Sequence, residues 1–129
     1  LEKRASSKYH SGGLWTNTCC SDPRVGEANM DAAIRRLKEE MGICSDLYDA
    51  FSFTYKSLFK NGLTEYEFDH VFIGSSEHIP KLNPEEAEDY RYSHIHDVIK
   101  DVKQHPEQYT EWFKIAIYKV DEHLKKPIS

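Results

Sequence analysis

Apolar side chains recur on one face in two parts of this chain. Between residues 30 and 41 they follow a helical period, with charged residues on the other faces, which predicts an amphipathic helix. Asn29 is placed to cap this helix and Gly42 to end it. A short helix is predicted over 95–103, and a long one after Pro106 with these side chains facing the core: Tyr109, Trp112, Phe113, Ala116, Ile117, Val120 and Leu124.

Alternating side chains between 48 and 73 predict a pair of antiparallel strands. In the first strand Phe51, Phe53 and Tyr55 share a face, and Asn61-Gly62 marks the hairpin turn. The returning strand places one set of side chains on each face, Tyr66, Phe68, His70 and Phe72 against Glu65, Glu67, Asp69 and Val71. With short strands at 1–4, 14–16 and 88–92, the chain is predicted to be α/β or α+β, a mixed sheet sandwiched by helices.

The composition narrows the class of protein. The chain has 129 residues, 39% hydrophobic and 12% aromatic, which suits a single globular domain with its own core. Its apolar runs are too short for a transmembrane helix, and its aromatic content argues against disorder. The formal charge of −5 disfavours a nucleic-acid or anionic-membrane partner, but a small anion could still be held by a few Arg and Lys side chains.

The cysteines and the first residues add further expectations. The chain has three cysteines, and the adjacency of Cys19 and Cys20 fits neither a disulfide framework nor a metal knuckle. We therefore expect reduced thiols in a cytoplasmic protein. Residues 1–4 read as the end of a strand already under way, so we expect that an N-terminal segment of the domain is missing. The sheet edge exposed by that loss would favour self-association.

Charged residues on the first predicted helix could carry chemistry. Arg36 and Glu40 stand four positions apart and share a side. Carboxylates there, together with Glu27 in the preceding loop, could hold a hard cation such as Mg²⁺ through oxygen ligands. The alternative is a solvated helix face with an internal ion pair.

Two further groups have chemical potential. Cys20 follows the strand predicted at 14–16, where a thiol near cations and carboxylates can be tuned for proton transfer; a buried structural cysteine is the alternative. Glu65 and Glu67 point to the same face of a strand, so they can share one metal or one proton unless that face is simply exposed. The His94-x-His96 pair has metal-like spacing, but its place at a strand-to-helix junction predicts solvent exposure.

The spacing of charged and apolar residues along the first helix resembles a known motif. One set of positions resembles the Nudix box, a loop–helix–loop motif for metal and diphosphate: Glu27, Arg35, Leu37, Glu39, Glu40, Gly42 and Ile43. Ser21 stands where the box opens with Gly. Arg36 stands where Nudix hydrolases keep a catalytic Glu that is a principal metal ligand. We therefore expect a Nudix fold without Nudix hydrolysis.

The motifs in combination resemble type I isopentenyl-diphosphate isomerase. They are W-T-N-x-x-C at 15–20, the box with Arg36, and E-x-E at 65–67, and the resemblance runs over essentially the whole chain. It implies a single Nudix-like isomerase domain over 1–129, truncated at its N-terminus. That family interconverts isopentenyl and dimethylallyl diphosphate in isoprenoid biosynthesis. A metal-dependent protonation gives a tertiary carbocation, and loss of a proton on the far side gives the isomer.

The resemblance also implies catalytic roles. Cys20 would be the thiol on one face of the substrate and Glu67 the acid on the other, with Tyr55 beside Glu67. Trp112 would lend its π face to the carbocation, a role that is compatible with packing in the core.

Diphosphate binding is implied for a separate set of residues. Arg4, Lys8 and Arg36 match the positions that grip the diphosphate, in keeping with the preference of Arg forks for phosphate oxygens. Glu40 matches the ligand of the Mg²⁺ that travels with the diphosphate.

The second metal site of the family is expected to be depleted here. The family uses three histidines and two glutamates, and Glu65 and Glu67 match the glutamates. Asp22 occupies one histidine position, and the other two histidines belong to the expected missing segment. Because Asp supplies hard oxygen donors, the site would favour Mg²⁺ or Mn²⁺ over Zn²⁺.

Two other functions stay open. A Nudix diphosphohydrolase is supported by the box and opposed by Arg36. A degenerate family member that binds diphosphates or partner chains without catalysis is supported by Asp22 and the missing histidines.

Overall fold

A computed structural model gives the architecture of this chain. It describes residues 1–7, 12–18, 23–58, 62 and 64–125, with the backbone alone at 57–58 and 64–67. The elements in chain order are β1 (Glu2–Arg4), β2 (Trp15–Thr16), α1 (Asn29–Met41), β3 (Leu47–Leu58), β4 (Thr64–Gly74), β5 (Ala87–Tyr90), α2 (Ile95–Gln104), a 3₁₀ helix (Pro106–Gln108) and α3 (Glu111–Lys125).

The first predicted helix is confirmed as α1, although its cap differs. Asn29 is already helical, and the N-cap is Ala28, whose side chain makes no capping hydrogen bond. The prediction of Asn29 as cap was wrong because a turn closed by the Glu27 N–H on the Arg24 carbonyl brings the chain into the helix one residue earlier. At the other end Gly42 does end the helix, in the left-handed conformation with φ of 64°.

The predicted hairpin is confirmed as β3 and β4. Its antiparallel register runs from Leu47 opposite Gly74 to Leu58 opposite Thr64, with an irregularity between Asp49 and Phe51. The connecting residues 59–61 and 63, which include Asn61 of the predicted turn, lie outside the described residues. Positions 53 and 55 lie on β3 and position 67 lies on β4, so the hairpin fixes how far apart they are.

Three short strands form a second sheet in the order β2-β1-β5, and the α+β fold is confirmed. The strand pairings are antiparallel in both described sheets, where a single mixed sheet was expected. A short connection between β1 and β2 cannot make the long crossover that a parallel pair requires. Parallel geometry occurs in the described part as an isolated bridge between Trp15 and Tyr109.

The helices α2 and α3 bury a cluster formed by Val98, Val102, Tyr109, Phe113 and Ile117. A second cluster lies at the C-terminal end of α1, where Leu37 and Met41 pack with Ile43 and Ala87. These two clusters contain most of the buried hydrophobic side chains in the part of the chain that the structure describes.

The closing helix differs from its prediction at both ends. Tyr109 is buried as expected, but it precedes α3 in extended backbone with φ of −123°. Leu124, predicted to face the core, is 55% exposed because it lies in the last turn, beyond the buried positions of α3 at Phe113 and Ile117.

Among the described helices, none combines the length and the apolar character needed to cross a membrane.

We expect Gly42→Ala to destabilise the fold more than Gly26→Ala. Both glycines have positive φ, which costs an L-residue about 1–2 kcal/mol. A Cβ at Gly42 would also lie 2.9 Å from the carbonyl oxygen of Lys81, whereas a Cβ at Gly26 meets nothing within 4 Å. The Gly42 variant should therefore lose at least about 1 kcal/mol more free energy of unfolding in urea titrations. Equal losses would contradict the close contact with Lys81.

Candidate functional site

The Arg35 side chain joins α1 to the loop that precedes it. Its guanidinium grips the Glu27 carboxylate with two parallel hydrogen bonds, from Nε and Nη2, each 3.0 Å long. A hydrogen bond of 3.3 Å runs from Nη1 to Glu39, one helical turn away. The hydrogen bond from Arg35 and the backbone N–H of Arg24 together lower the pKa of Glu27 to about 2. Glu27 is therefore a carboxylate at any physiological pH.

Arg36, next along the helix, is the centre of a larger ion-pair group. Its Nη1 donates to Glu39, and its Nη2 lies 3.0 Å from Glu40 Oε1 and 3.2 Å from Glu86 Oε1. The prediction that Arg36 and Glu40 share a side is confirmed. Glu86 belongs to the turn before β5, so this guanidinium ties α1 to the second sheet.

Within this group, Arg36 and Glu39 favour each other's charged form. Burial lowers the pKa of the Arg36 guanidinium, but the contacts with Glu39, Glu86 and Glu40 outweigh burial, and the net shift is upward. The hydrogen bond from Arg36 in turn lowers the pKa of Glu39. Glu40 is only 5% exposed, so its carboxylate relies on charge compensation inside the protein.

A divalent metal does not fit the described residues by themselves. Among the side chains that the structure describes, no group of three His, Cys, Asp or Glu residues could hold a metal ion. The carboxylates predicted for the cation are instead engaged by Arg35 and Arg36, which is the internal ion pairing expected as the alternative. Asp22 lies outside the described residues, as do the side chains of Glu65 and Glu67.

The hairpin brings Tyr55 and position 67 together. Their Cα atoms are direct cross-strand partners in the register of β3 and β4. Tyr55 is buried, with 6% of its surface exposed. The backbone thus places the two positions side by side, as the sequence resemblance implies, although Glu67 is described through its backbone alone.

Trp112 lines a cavity with a volume of about 710 Å³. The cavity lies between α1, the hairpin and α3, and its lining is mostly apolar, including Leu37, Phe53 and Phe113. The indole Nε1 donates a hydrogen bond of 3.1 Å to Asn17 Oδ1. The guanidinium carbon of Arg4 lies 5.5 Å from the indole centroid, so a residue predicted to bind diphosphate touches the residue predicted to stabilise positive charge.

The structure brings four of the predicted site residues into contact, as two separate pairs. Arg4 and Trp112 meet beside the cavity, and Arg36 and Glu40 meet on α1. Cys20 and Lys8 lie outside the described residues.

The histidine pair is exposed, as predicted. His94 caps α2 by accepting a hydrogen bond from the backbone N–H of His96, and the His96 imidazole lies 3.5 Å from Asp121.

Arg91 and Asp101, which join Trp15 and Tyr109, were not predicted from the sequence. Arg91 stacks its guanidinium 4.4 Å from the centroid of Trp15 and donates a hydrogen bond to the Tyr109 hydroxyl. Burial, followed by the hydrogen bond from Tyr109 to Asp101, raises the pKa of Tyr109 to about 12, so the phenol stays neutral. No local pattern signals this contact, because β2, β5, α2 and the segment before α3 are far apart in sequence.

The amino-acid sequence of this chain is similar to those of known proteins. The NUDIX domain family matches residues 1–113. Isopentenyl-diphosphate Delta-isomerase 2 of Aromatoleum aromaticum is 50% identical over 93% of this chain and 64% of its own length. Isopentenyl-diphosphate Delta-isomerase of Pectobacterium atrosepticum is 43% identical over 95% of this chain and 69% of its own length. The chain therefore spans about two thirds of the length of these relatives.

We expect Arg35→Gln to raise the pKa of Glu27 from about 2 toward its ordinary value of 4.5. In the wild-type chain this carboxylate contributes stability that is complete above pH 4.5 and is lost as the pH falls through the folded pKa near 2. The variant should lack that acid-dependent contribution. Titration of the Glu27 carboxyl carbon by NMR measures the shift.

Arg24→Gln is the matched control. Arg24 hydrogen-bonds to Glu27 through its backbone N–H, which the substitution keeps, so the pKa should stay low. A pKa that rises equally in both variants would contradict the dominant role of the Arg35 fork.

Proposed function

We propose that this chain, which belongs to the isopentenyl-diphosphate Delta-isomerase family of NUDIX proteins, interconverts isopentenyl and dimethylallyl diphosphate. The expected Nudix fold and the family resemblance are both confirmed by the comparisons. The activity is our inference for a chain that covers 64% of one of these relatives and 69% of another. Isoprenoid biosynthesis is the process in which such an activity would operate.

The observation that carries the proposal is the set of ion pairs around Arg36. A NUDIX hydrolase needs carboxylates on this helix that are available to a metal ion. Here Arg36 occupies a hydrolase glutamate position and contacts Glu39, Glu40 and Glu86 within 3.2 Å. A guanidinium at the centre of the carboxylates opposes hydrolytic metal binding and supports a reaction in which the diphosphate stays intact.

The proposed reaction moves one double bond. Cys20 and Glu67 would act on opposite faces of the five-carbon chain, one giving a proton to a terminal alkene carbon and the other removing a proton from the far side. The proton gained and the proton lost balance, so no redox partner is needed. Tyr55, the cross-strand partner of position 67, would hold the carboxyl in place.

An apolar cavity suits the carbocation that forms between these two steps. Water would capture a tertiary cation, and the cavity beside Trp112 is lined mostly by apolar side chains. The indole face can stabilise a desolvated cation by about 2 kcal/mol. Arg4, Lys8 and Arg36 are proposed to bind the diphosphate at the edge of this cavity.

We also propose a divalent metal, Mg²⁺ with the diphosphate and Mg²⁺, Mn²⁺ or Zn²⁺ at a second site. NUDIX isomerases as a family generally depend on such ions. Glu40 would serve the first site, and Asp22, Glu65 and Glu67 the second. The described residues form no metal site of their own, so the donors would have to include these side chains and the diphosphate oxygens.

The remaining proposals concern location and partners. We propose a cytoplasmic protein with reduced thiols and with neither nucleic acid nor membrane as a partner. Self-association through an exposed sheet edge is proposed as well, with β5 as an edge strand of the described three-stranded sheet. Sedimentation velocity should then give a mass that rises with concentration, and a monomer at every concentration would contradict the proposal.

Incubation with isopentenyl diphosphate and Mg²⁺ or Mn²⁺ tests the activity. We expect dimethylallyl diphosphate as the product. Cys20→Ala should lower turnover at least about a hundredfold, because proton transfer by a positioned group contributes that much or more, while diphosphate binding stays nearly intact. Cys44→Ala is the control, since Cys44 is a free, exposed cysteine that is not itself one of the motif residues, and the turnover of this variant should not change.

Other outcomes point to the other functions. Release of phosphate or pyrophosphate from nucleoside diphosphate derivatives would favour the diphosphohydrolase. Diphosphate binding without conversion would favour a non-catalytic member of the family. A Cys20→Ala variant that keeps most of the rate would contradict the role of the thiol.

A further inference from the structure

We propose that Asn17 is a positioning residue that holds the indole of Trp112 in the orientation needed for isomerisation. This inference rests on the proposed function, because it gives Asn17 its importance through Trp112. Asn17 Oδ1 lies 3.1 Å from the indole Nε1, and the two residues are 95 positions apart in the sequence. Both residues line the same cavity.

The chemistry of the indole fixes the direction of this contact. An indole N–H donates and cannot accept, so the amide of Asn17 must present its oxygen. The same oxygen accepts a hydrogen bond of 2.8 Å from the Thr16 hydroxyl. Asn17 thus receives two donors on one atom, which holds its side chain in a single orientation.

A second consequence follows for the neighbouring hydroxyl groups. The Thr16 hydroxyl uses its proton on Asn17, so it must act as the acceptor in its contact of 2.8 Å with Thr110. Thr16 is 2% exposed and Thr110 is fully buried, so water cannot replace either partner. The hydrogen bonds therefore run in one direction, from Thr110 through Thr16 to Asn17, with Trp112 donating to the same oxygen.

The backbone is held at the same place. The N–H of Thr110 donates to the carbonyl of Trp15 over 3.0 Å, and Trp15 and Tyr109 form a parallel bridge. Trp112 is the second residue of α3, two positions after Thr110. The start of α3 is therefore fixed to β2 through its backbone, and the indole is fixed to the residue that follows β2 through its ring nitrogen.

This double attachment matters because a cation interacts with the face of an aromatic ring. A hydrogen bond at Nε1 opposes rotation of the ring about its χ2 torsion, which otherwise has a broad energy minimum. An oxygen that accepts the N–H also draws the proton toward itself and raises the electron density of the ring. Both effects favour a cation over the indole face.

Indole NMR resonances in the full chain test the contact directly. The sequence has two tryptophans, so two indole N–H signals are expected, and Trp112→Phe identifies the one from Trp112. Asn17→Leu removes the acceptor at similar size. It should move the Trp112 signal upfield and speed its hydrogen exchange at least about tenfold, while the Trp15 signal stays in place as the internal control. Asn17→Ala also removes the acceptor, with a smaller side chain, and gives the same test if the Leu variant fails to fold.

Steady-state kinetics test whether this hydrogen bond matters for isomerisation. Asn17→Leu should lower kcat for isopentenyl diphosphate about tenfold with little change in KM, the loss expected when the one hydrogen bond that orients the indole is removed. Asn17→Asp keeps an oxygen acceptor and should restore the Trp112 signal and most of kcat. In a Trp112→Phe background, which has no indole N–H, Asn17→Leu should cost less than about twofold more.

The outcomes separate this inference from the proposed function. An unmoved Trp112 signal in Asn17→Leu would overturn the contact. A moved signal with unchanged kcat, or an equal loss in the Trp112→Phe background, would overturn the positioning role. Absence of turnover by the wild-type chain would overturn the proposed function and the catalytic consequence with it, whereas the indole signals would still support or overturn the contact itself.

Discussion

The ion-pair group around Arg36 is the contact on which the arrangement of this chain most depends. A carboxylate as buried as Glu40, with 5% exposure, costs several kcal/mol to desolvate and needs a cation close by. Arg36 supplies it from the same helix and reaches across to Glu86 before β5. Backbone hydrogen bonds from Lys81 and Asn83 to the last turn of α1 reinforce the same connection.

Hydrophobic packing follows from this connection. Because the segment before β5 is bound to the end of α1, Ala87 enters the core cluster with Leu37, Met41 and Ile43. The same segment continues into β5, which pairs with β1. Charge compensation and apolar burial therefore stabilise the same connection. Replacing Arg36 would destabilise the packing of both α1 and the three-stranded sheet.

A second polar group fixes the start of α3. The buried hydroxyls of Thr16 and Thr110 and the stacked guanidinium of Arg91 join β2 to the segment before α3. Tyr109 stays neutral there because burial and its bond to Asp101 raise its pKa. This group decides where α3 begins, and hence where Trp112 stands relative to the cavity.

The sequence predicted the features that depend on local periodicity. The amphipathic repeat identified α1, alternation identified β3 and β4, and four-residue spacing identified the pair of Arg36 and Glu40. Glu86 could not be found this way because it follows Arg36 by 50 positions and meets it only through the tertiary fold. The hydrogen bond between Asn17 and Trp112 escaped for the same reason, although W-T-N-x-x-C marked Asn17 as part of a motif.

The resemblance to isomerases supplied roles for residues but not their contacts, and the contacts of Arg36 change how its role is understood. Replacing a hydrolase glutamate by arginine alters the local charge by two units and puts a donor fork where a metal ligand would be. The glutamates around Arg36 hold the guanidinium, so a metal ion at Glu40 would share that carboxylate with Arg36. A diphosphate that approaches Arg36 must compete with these carboxylates, and the other cations proposed to bind it, Arg4 and Lys8, would shift that balance toward the anion. In the proposed function, this one substitution on the NUDIX helix replaces a ligand for metal-assisted cleavage by a cation that supports an intact bound anion.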